Sequence, residues 1–241
     1  MKTYSVTDIG QKRKMNQDYV YCNEGAVGML PNLFIVADGM GGHNAGDFAS
    51  RFAVEEFVRQ VSGGREKTLI KTMEEAVHRA NQMLLEQAAA RPELEGMGTT
   101  FVAATINGED MYVANIGDSR LYLISGEEIT QVTQDHSLVE EMIRRGEIKR
   151  EEGRFHPNKN VITRAMGANV LVVPDFFEVR LMAGDFILLC SDGLSNMMDD
   201  HEIFSVIKSH GEDVAAAGAR LLHLANEYGG RDNISIVLVG T

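Results

Sequence analysis

The chain has 241 residues, 44% of them hydrophobic, and a formal net charge of −12 at pH 7, which leaves ample material for a buried core. The acidic balance argues against nucleic acid or an anionic membrane as a partner, and no apolar stretch reaches the roughly 18–20 residues of a membrane span. Only two cysteines are present and the first residues lack the apolar region of a signal peptide, so we expect a protein of the reducing cytoplasm.

The first part of the chain predicts strands followed by two helices. Short β-branched and apolar runs predict strands at residues 3–7, 18–22 and 33–37. Apolar residues at helical spacing then predict a helix over residues 45–61, which a Ser-Gly-Gly break ends, and a longer one over residues 67–90.

The second part predicts mainly strands joined by short turns. Strands are predicted at residues 99–106, 111–116, 120–124, 176–182, 186–190 and 234–239. The strands at residues 176–182 and 186–190 are predicted to form a hairpin. Helices are predicted over residues 137–146, 201–209 and 213–228. Short turns indicate antiparallel sheets, and the helices come in blocks rather than alternating with strands. We therefore predict an α+β fold in a single domain over residues 1–241.

Four aspartates lie at the ends of strand-like runs. Asp18 and Asp232 open their runs, whereas Asp38 and Asp192 close theirs. In antiparallel neighbours the start of one strand and the end of the next share one edge of the sheet, so all four carboxylates could converge. Carboxylates about 4 Å apart repel by roughly 4 kcal/mol at a protein surface and need cations. Oxygen ligands favour magnesium, manganese or calcium over zinc, and the pattern predicts a binuclear metal site.

The glycine-rich segment after Asp38 has a second interpretation that its spacing disfavours. A strand, a glycine-rich turn and a helix is also the plan of a dinucleotide or phosphate loop, but neither glycine pattern is present. We expect instead that Gly39 lets the backbone approach a metal ion or its water. For any one of these aspartates the simpler alternative is a turn residue or a helix cap.

The order of motifs resembles bacterial type 2C, metal-dependent Ser/Thr protein phosphatases, known as the PPM family. The motifs that carry the resemblance cover essentially the whole chain and are TDIGQKRKMNQD, VADGMGGHNAG, GTTFVAA, NIGDSRLYLI, DHSLVEEMI, VITRAMG, LLCSDGLSN and RDNISIVLV. The resemblance implies a sandwich of two antiparallel sheets flanked by helix pairs, with two Mn²⁺ or Mg²⁺ ions in a cleft at one end. It also implies a flap subdomain at roughly residues 144–160.

The resemblance assigns roles to the aspartates. Asp38 resembles the ligand that bridges the two ions, and Gly39 supplies its backbone carbonyl. Asp192 and Asp232 resemble ligands of the first ion. Asp18 resembles the residue that holds the second ion, directly or through water.

Three further residues take roles from the same resemblance. Asp118 resembles a ligand, with Asp192, of a third and weaker ion, and the alternative is the acid of a tight hairpin turn. Arg13 resembles the residue that grips the substrate phosphate, for which a planar guanidinium is suited, and the alternative is solvated surface. His43 resembles a general acid near the leaving oxygen. Eukaryotic relatives place their histidine directly after Asp-Gly, where this chain has Met40, so a capping or supporting role is the alternative for His43.

The expected reaction is hydrolysis of phosphoserine and phosphothreonine in proteins. Two cations that share a water lower its pKa, so that hydroxide can attack phosphorus in line with the leaving oxygen. The alternatives are a metal-dependent phosphodiesterase or nuclease, and a catalytically dead module that binds phosphoproteins. The resemblance implies that the protein opposes a eukaryotic-type Ser/Thr kinase in signalling, and we expect a monomer.

Overall fold

The computed structural model describes residues 1–42, 45–64 and 68–241. Within these ranges one antiparallel sheet has five strands: β1 (Lys2–Asp8), β7 (Arg120–Ser125), β8 (Glu128–Gln131), β10 (Phe186–Cys190) and β11 (Ile234–Gly240). The strand order across this sheet is β1-β11-β10-β7-β8. The first and last strands of the chain are therefore neighbours.

The second antiparallel sheet has six strands. They are β2 (Asp18–Asn23), β3 (Leu33–Met40), β4 (Gly98–Thr99), β5 (Phe101–Asn107), β6 (Asp110–Ile116) and β9 (Asp175–Arg180). The order is β2-β3-β5-β6-β9, and the short β4 pairs with the end of β3.

Helices cover the outer face of each sheet. The helices of the described ranges are α1 (Ala45–Gly63), α2 (Leu69–Ala90), α3 (Leu138–Arg144), α4 (Arg150–Gly153), α5 (Asp192–Ser195), α6 (Asp200–His210) and α7 (Val214–Glu227), with a 3₁₀ turn at Pro92–Leu94. The pair α1 and α2 packs on the six-stranded sheet, and α6 and α7 pack on the five-stranded sheet. No helix in the described ranges is long and apolar enough to cross a membrane.

The core has three layers because both faces of the central strands are covered. In β3, Phe34 and Val36 point into the layer between the two sheets, where they meet Val237 of β11. Leu33 and Ile35 alternate with them and pack beneath α1 and α2. In a strand that is covered on both faces, successive side chains are all apolar, which explains the sequence LFIVA.

These observations confirm the predicted fold class, an α+β sandwich of two antiparallel sheets flanked by helix pairs. Most predicted elements are present with ends shifted by a few residues. The sequence analysis missed β8, α4 and α5, which are short.

The predicted hairpin of residues 176–182 and 186–190 is wrong. β9 pairs with β6 in one sheet, whereas β10 lies between β7 and β11 in the other. The connecting turn is tight, since the Asp185 side chain accepts a hydrogen bond from the Met182 backbone N–H at 2.8 Å. A tight turn brings strand ends together without requiring the strands to pair, and here it carries the chain across the sandwich.

A second crossover carries a predicted site residue. The turn that contains Asp118 joins β6 of the six-stranded sheet to β7 of the five-stranded sheet. This excludes the alternative that Asp118 is the acid of a hairpin turn. The segment predicted as a flap, roughly residues 144–160, contains α4 and turns beside α3. Its status as a separate subdomain stays a prediction.

Candidate metal centre

Asp18 and Asp38 face each other on neighbouring strands. Asp18 is the first residue of β2, and the β2–β3 register pairs it directly with Asp38. The Asp18 side chain is buried, with 5% of the residue exposed. The antiparallel pairing expected from the sequence therefore brings these two carboxylates to one edge.

Asp192 and Asp232 reach the same edge from the other sheet. Asp192 follows the end of β10 and Asp232 precedes β11, and these two strands are antiparallel neighbours. Between them, Ser191 Oγ donates a 2.7 Å hydrogen bond to Asp18 Oδ2. This bond joins the two sheets at the point where the four carboxylates meet.

The carboxylates raise one another's pKa. Burial raises the pKa of Asp18 to about 7 and that of Asp192 to about 6, and the charge of Asp232 contributes to both shifts. Burial, and then the charges of Asp18 and Asp192, raise the pKa of Asp38 well above its usual value. Such a cluster is destabilised when every member is ionised, which is the electrostatic condition that a bound cation relieves.

Two buried oxygens lack partners in this part of the protein. Among the described residues, Asp18 Oδ1 and Asp192 Oδ1 accept no hydrogen bond. Unsatisfied buried carboxylate oxygens are costly, and an oxygen-only donor set fits hard divalent cations such as Mn²⁺ or Mg²⁺. As the side chains stand, no group of three or more acidic, histidine or cysteine residues in the described ranges is arranged to hold an ion.

Two threonines hold the backbone of Asp38 in place. Thr100 Oγ1 accepts a 2.9 Å hydrogen bond from the Asp38 N–H, and Thr99 Oγ1 donates a 3.0 Å hydrogen bond to the Asp38 carbonyl. Thr100 Oγ1 also lies 2.7 Å from Ser119 Oγ, next to Asp118. The two threonines belong to the GTT motif, to which no supporting role was assigned from the sequence. Two polar residues directly before the apolar run of β5 could have indicated it.

The turn that carries Asp118 is fixed from two sides. His136 Nδ1 accepts a 3.0 Å hydrogen bond from the Gly117 N–H, and His136 Nε2 lies 3.0 Å from Asp175 Oδ2. Gly117 has φ 101°, and a Cβ there would lie 2.7 Å from the Thr100 side chain. Burial and the charge of Asp192 raise the pKa of Asp118 well above its usual value.

Close packing of the backbone gives a structural reason for glycine at position 39. A Cβ at this position would lie 2.0 Å from the Gly46 carbonyl oxygen and 2.6 Å from that of Gln17. Gly39 is therefore needed because the backbone at the start of α1 and the backbone before β2 pack directly against it. The approach of the Gly39 backbone toward a metal ion stays a prediction.

Arg13 lies at the site, on the loop between β1 and β2. Its Nη2 lies 2.6 Å from Asp232 Oδ2, while 47% of the Arg13 side chain is exposed. The loop is tied to β11 by Asn233, whose side chain accepts from the Gln17 N–H at 2.9 Å and donates to the Met15 carbonyl at 2.9 Å. Asn233 thus supports the loop that carries Arg13, and its N–H donates to Asp232 Oδ1 at 2.8 Å.

A lysine that the sequence analysis did not single out is linked to Asp192. Lys159 Nζ donates a 3.1 Å hydrogen bond to Asn196 Oδ1, and Asn196 Nδ2 donates a 2.9 Å hydrogen bond to Asp192 Oδ2. These residues line a cleft of about 390 Å³ that also contains Asp118. No local pattern in the sequence connects positions 37 residues apart. His43, the predicted general acid, lies outside the described residues.

Comparisons with known proteins agree with this architecture. The family profile described as protein phosphatase 2C matches residues 9–234. The chain is 40% identical to the serine/threonine phosphatase stp of Listeria welshimeri, over 97% of this chain and 93% of that protein. A solved serine/threonine phosphatase of S. agalactiae superposes with a TM-score of 0.91 at 35% identity, covering 100% of this chain and 99% of that one.

A further solved structure contains metal. The catalytic domain of the phosphatase PstP, in complex with two manganese ions, has a TM-score of 0.86 and 34% identity, covering 98% of this chain and 96% of that one. The chain belongs to the protein phosphatase 2C family. The predicted enzyme class, a protein-serine/threonine phosphatase, is thereby confirmed, and metal dependence is general for this family.

Proposed function

We propose that this enzyme hydrolyses phosphoserine and phosphothreonine in cytoplasmic proteins at the edge where Asp18, Asp38, Asp192 and Asp232 meet. The observation that carries the proposal is the burial of carboxylates beside one another with unpartnered oxygens on Asp18 and Asp192. Bound cations would satisfy these oxygens while every carboxylate stays ionised.

Two core divalent ions are assigned to these residues. Asp38 and the Gly39 carbonyl would hold the position shared by both ions, with Asp192 and Asp232 on the first ion and Asp18 on the second. Asp118, beside Asp192, would hold a third and weaker ion. Either Mn²⁺ or Mg²⁺ suits the oxygen donors.

Divalent ions, when bound, lower the pKa of coordinated water and withdraw charge from phosphoryl oxygens. The protein's own residues supply orientation. Arg13 is exposed enough to exchange its contact with Asp232 for a substrate phosphate, which a planar guanidinium can bind through two parallel hydrogen bonds. Thr99 and Thr100 keep Asp38 from moving as charge develops. His43, or a water molecule, would protonate the leaving serine or threonine oxygen.

The wider proposal concerns partners. Phosphoproteins that a eukaryotic-type Ser/Thr kinase has modified would be the substrates, so the enzyme would reverse that signal. The segment at roughly residues 144–160 would act as a flap beside the cleft, and the enzyme would work as a monomer.

The function is tested with purified protein, Mn²⁺ and three substrates. We expect turnover of a phosphothreonine peptide and of p-nitrophenyl phosphate, no turnover of bis-p-nitrophenyl phosphate, and loss of all activity with a chelator. Hydrolysis of the diester alone would instead indicate a phosphodiesterase. Binding of the phosphopeptide without any turnover would indicate a dead binding module.

Replacing Arg13 with Ala is expected to raise KM for a phosphopeptide about tenfold, because one charge-assisted contact of roughly 1.4 kcal/mol is lost. The measurement is steady-state kinetics with a phosphothreonine peptide. Lys14→Ala is the matched control, since Lys14 is an exposed cation on the same loop. An unchanged KM in Arg13→Ala would contradict the role given to Arg13.

A further inference from the structure

Three cations lie in or beside the metal-site cleft. Arg154 and Lys159 line the cleft together with Asp118 and Asp192. Arg231 directly precedes Asp232 in sequence and acts electrostatically on Lys159. Within the described ranges, no carboxylate forms an ion pair with Arg154, Lys159 or Arg231. In a chain with a net charge of −12, three cations outside any ion pair at one place require an explanation.

Most other charged side chains of the cleft have partners. Asp135 accepts from the Arg120 guanidinium at 2.7 Å, and Glu140 lies 2.8 Å from Arg150. Asp200 accepts a 3.1 Å hydrogen bond from the Tyr122 hydroxyl, and Asp199 caps α6. The remaining carboxylates of the cleft, Asp118 and Asp192, belong to the proposed metal centre, where bound ions would neutralise them. Arg154, Lys159 and Arg231 would then be the cations open to an incoming anion.

Arg154 and Arg231 both lie close enough to act on Lys159. Burial lowers the pKa of Lys159, the negative charge of Asp192 opposes this shift, and the positive charges of Arg154 and Arg231 lower the pKa further. Lys159 is also held in place by its 3.1 Å hydrogen bond to Asn196. Cations that are crowded together and partly dehydrated gain more from an incoming anion than isolated surface cations do.

We propose that Arg154, Lys159 and Arg231 form a subsite for a second anionic group on the substrate, a carboxylate or phosphate close to the phosphoserine or phosphothreonine being hydrolysed. This inference rests on the proposed function, because the link from Lys159 through Asn196 to Asp192 places the subsite beside the reacting phosphate. The enzyme would thus prefer acidic or multiply phosphorylated segments.

The preference is measured as a ratio of kcat/KM values for matched peptides. Each peptide carries one phosphothreonine flanked by glutamates, by a non-hydrolysable phosphonate, by glutamines or by lysines. We expect the glutamate or phosphonate peptide, or both, to exceed the glutamine peptide by roughly tenfold, and the lysine peptide to be the poorest. The glutamate and phosphonate peptides distinguish an acidic side chain from a second phosphate.

Variants then locate the preference. Arg154→Gln and Arg231→Gln are each expected to reduce the ratio of the acidic to the glutamine peptide by up to about fivefold, which corresponds to about 1 kcal/mol for a partly exposed ion pair. Arg180→Gln is the matched control, because Arg180 is an exposed cation that pairs with Asp110, at the end of β6 away from Asp118. It should keep the wild-type ratio.

The outcomes separate this inference from the proposed function. If no peptide is hydrolysed, the proposed function fails and the subsite fails with it. If all peptides are hydrolysed with equal kcat/KM, or the lysine peptide is best, the proposed function stands and the subsite is overturned. A ratio that falls in Arg180→Gln as far as in Arg154→Gln also overturns it, since net charge alone would then set the preference.

Discussion

Replacing Asp38 with Asn is expected to lower kcat by about a thousandfold, since the carboxylate proposed to hold both ions would be lost, and with it several kcal/mol of metal-dependent stabilisation. The substitution changes charge with little change in shape. The backbone of Asp38 is held by Thr99 and Thr100, so its position is expected to persist. Steady-state kinetics and calorimetric Mn²⁺ titration measure the two consequences, and both turnover and tight binding should be lost.

Two variants control for this result. Asp118→Asn should also lose activity but should keep the two tighter ions, which metal counting in a crystal can check. Asp110→Asn also removes one carboxylate charge, at the start of β6, whereas Asp118 follows the end of that strand. The kcat of this variant should stay close to that of wild type. Full activity or undiminished Mn²⁺ binding in Asp38→Asn would contradict the proposed centre.

Metal-free protein is expected to lose stability as the pH rises from 5 to 7. The pKa of Asp18 is raised to about 7 and that of Asp192 to about 6, so the folded state holds protons in this window that the unfolded chain has released. Stability then falls with rising pH, by on the order of 3 kcal/mol, or roughly 5–10 °C in Tm. Thermal unfolding in the presence of a chelator, at half-unit steps of pH, provides the measurement.

The same experiment has an internal check. In Asp18→Asn the pH dependence should become shallower, and the metal-free variant should be more stable than wild type at pH 7, because a buried charge is gone. Added Mn²⁺ should stabilise wild type at pH 7 by mass action. A wild-type stability that stays flat or rises between pH 5 and 7 would count against this account of the cluster.

The site carboxylates could be named from the sequence because each one stands at the end of a strand. The LFIVA run before Asp38 has to be a buried strand, and the end of such a run is a fixed place in a sheet. Short turns then implied antiparallel pairing, which puts Asp18 opposite Asp38. The roles of these residues as metal ligands rest on the family's pattern and on the proposed function.

The residues that support the carboxylates could not be predicted from the sequence. Ser191 reaches Asp18 across 173 positions, and Thr100 reaches Asp38 across 62. A hydroxyl next to a strand has the same local sequence pattern whether it faces a carboxylate or a neighbouring carbonyl. The partner is selected when the sheets pack, so the short-range pattern carries no information about it.

The wrongly predicted hairpin of β9 and β10 shows that strand pairing, too, cannot be predicted from short-range sequence patterns. Hydrophobic alternation and turn residues act over a few positions, and they were sufficient to predict most strands and helices, the aspartates at the strand ends and the α+β class. The sandwich of two sheets came from the family resemblance. Which sheet each strand joins depends on packing free energy summed over distant segments. In the folded protein β9 lies beside β6, and Asp118 lies on a crossover next to Asp192. Arg154, Lys159 and Arg231 lie in or beside one cleft.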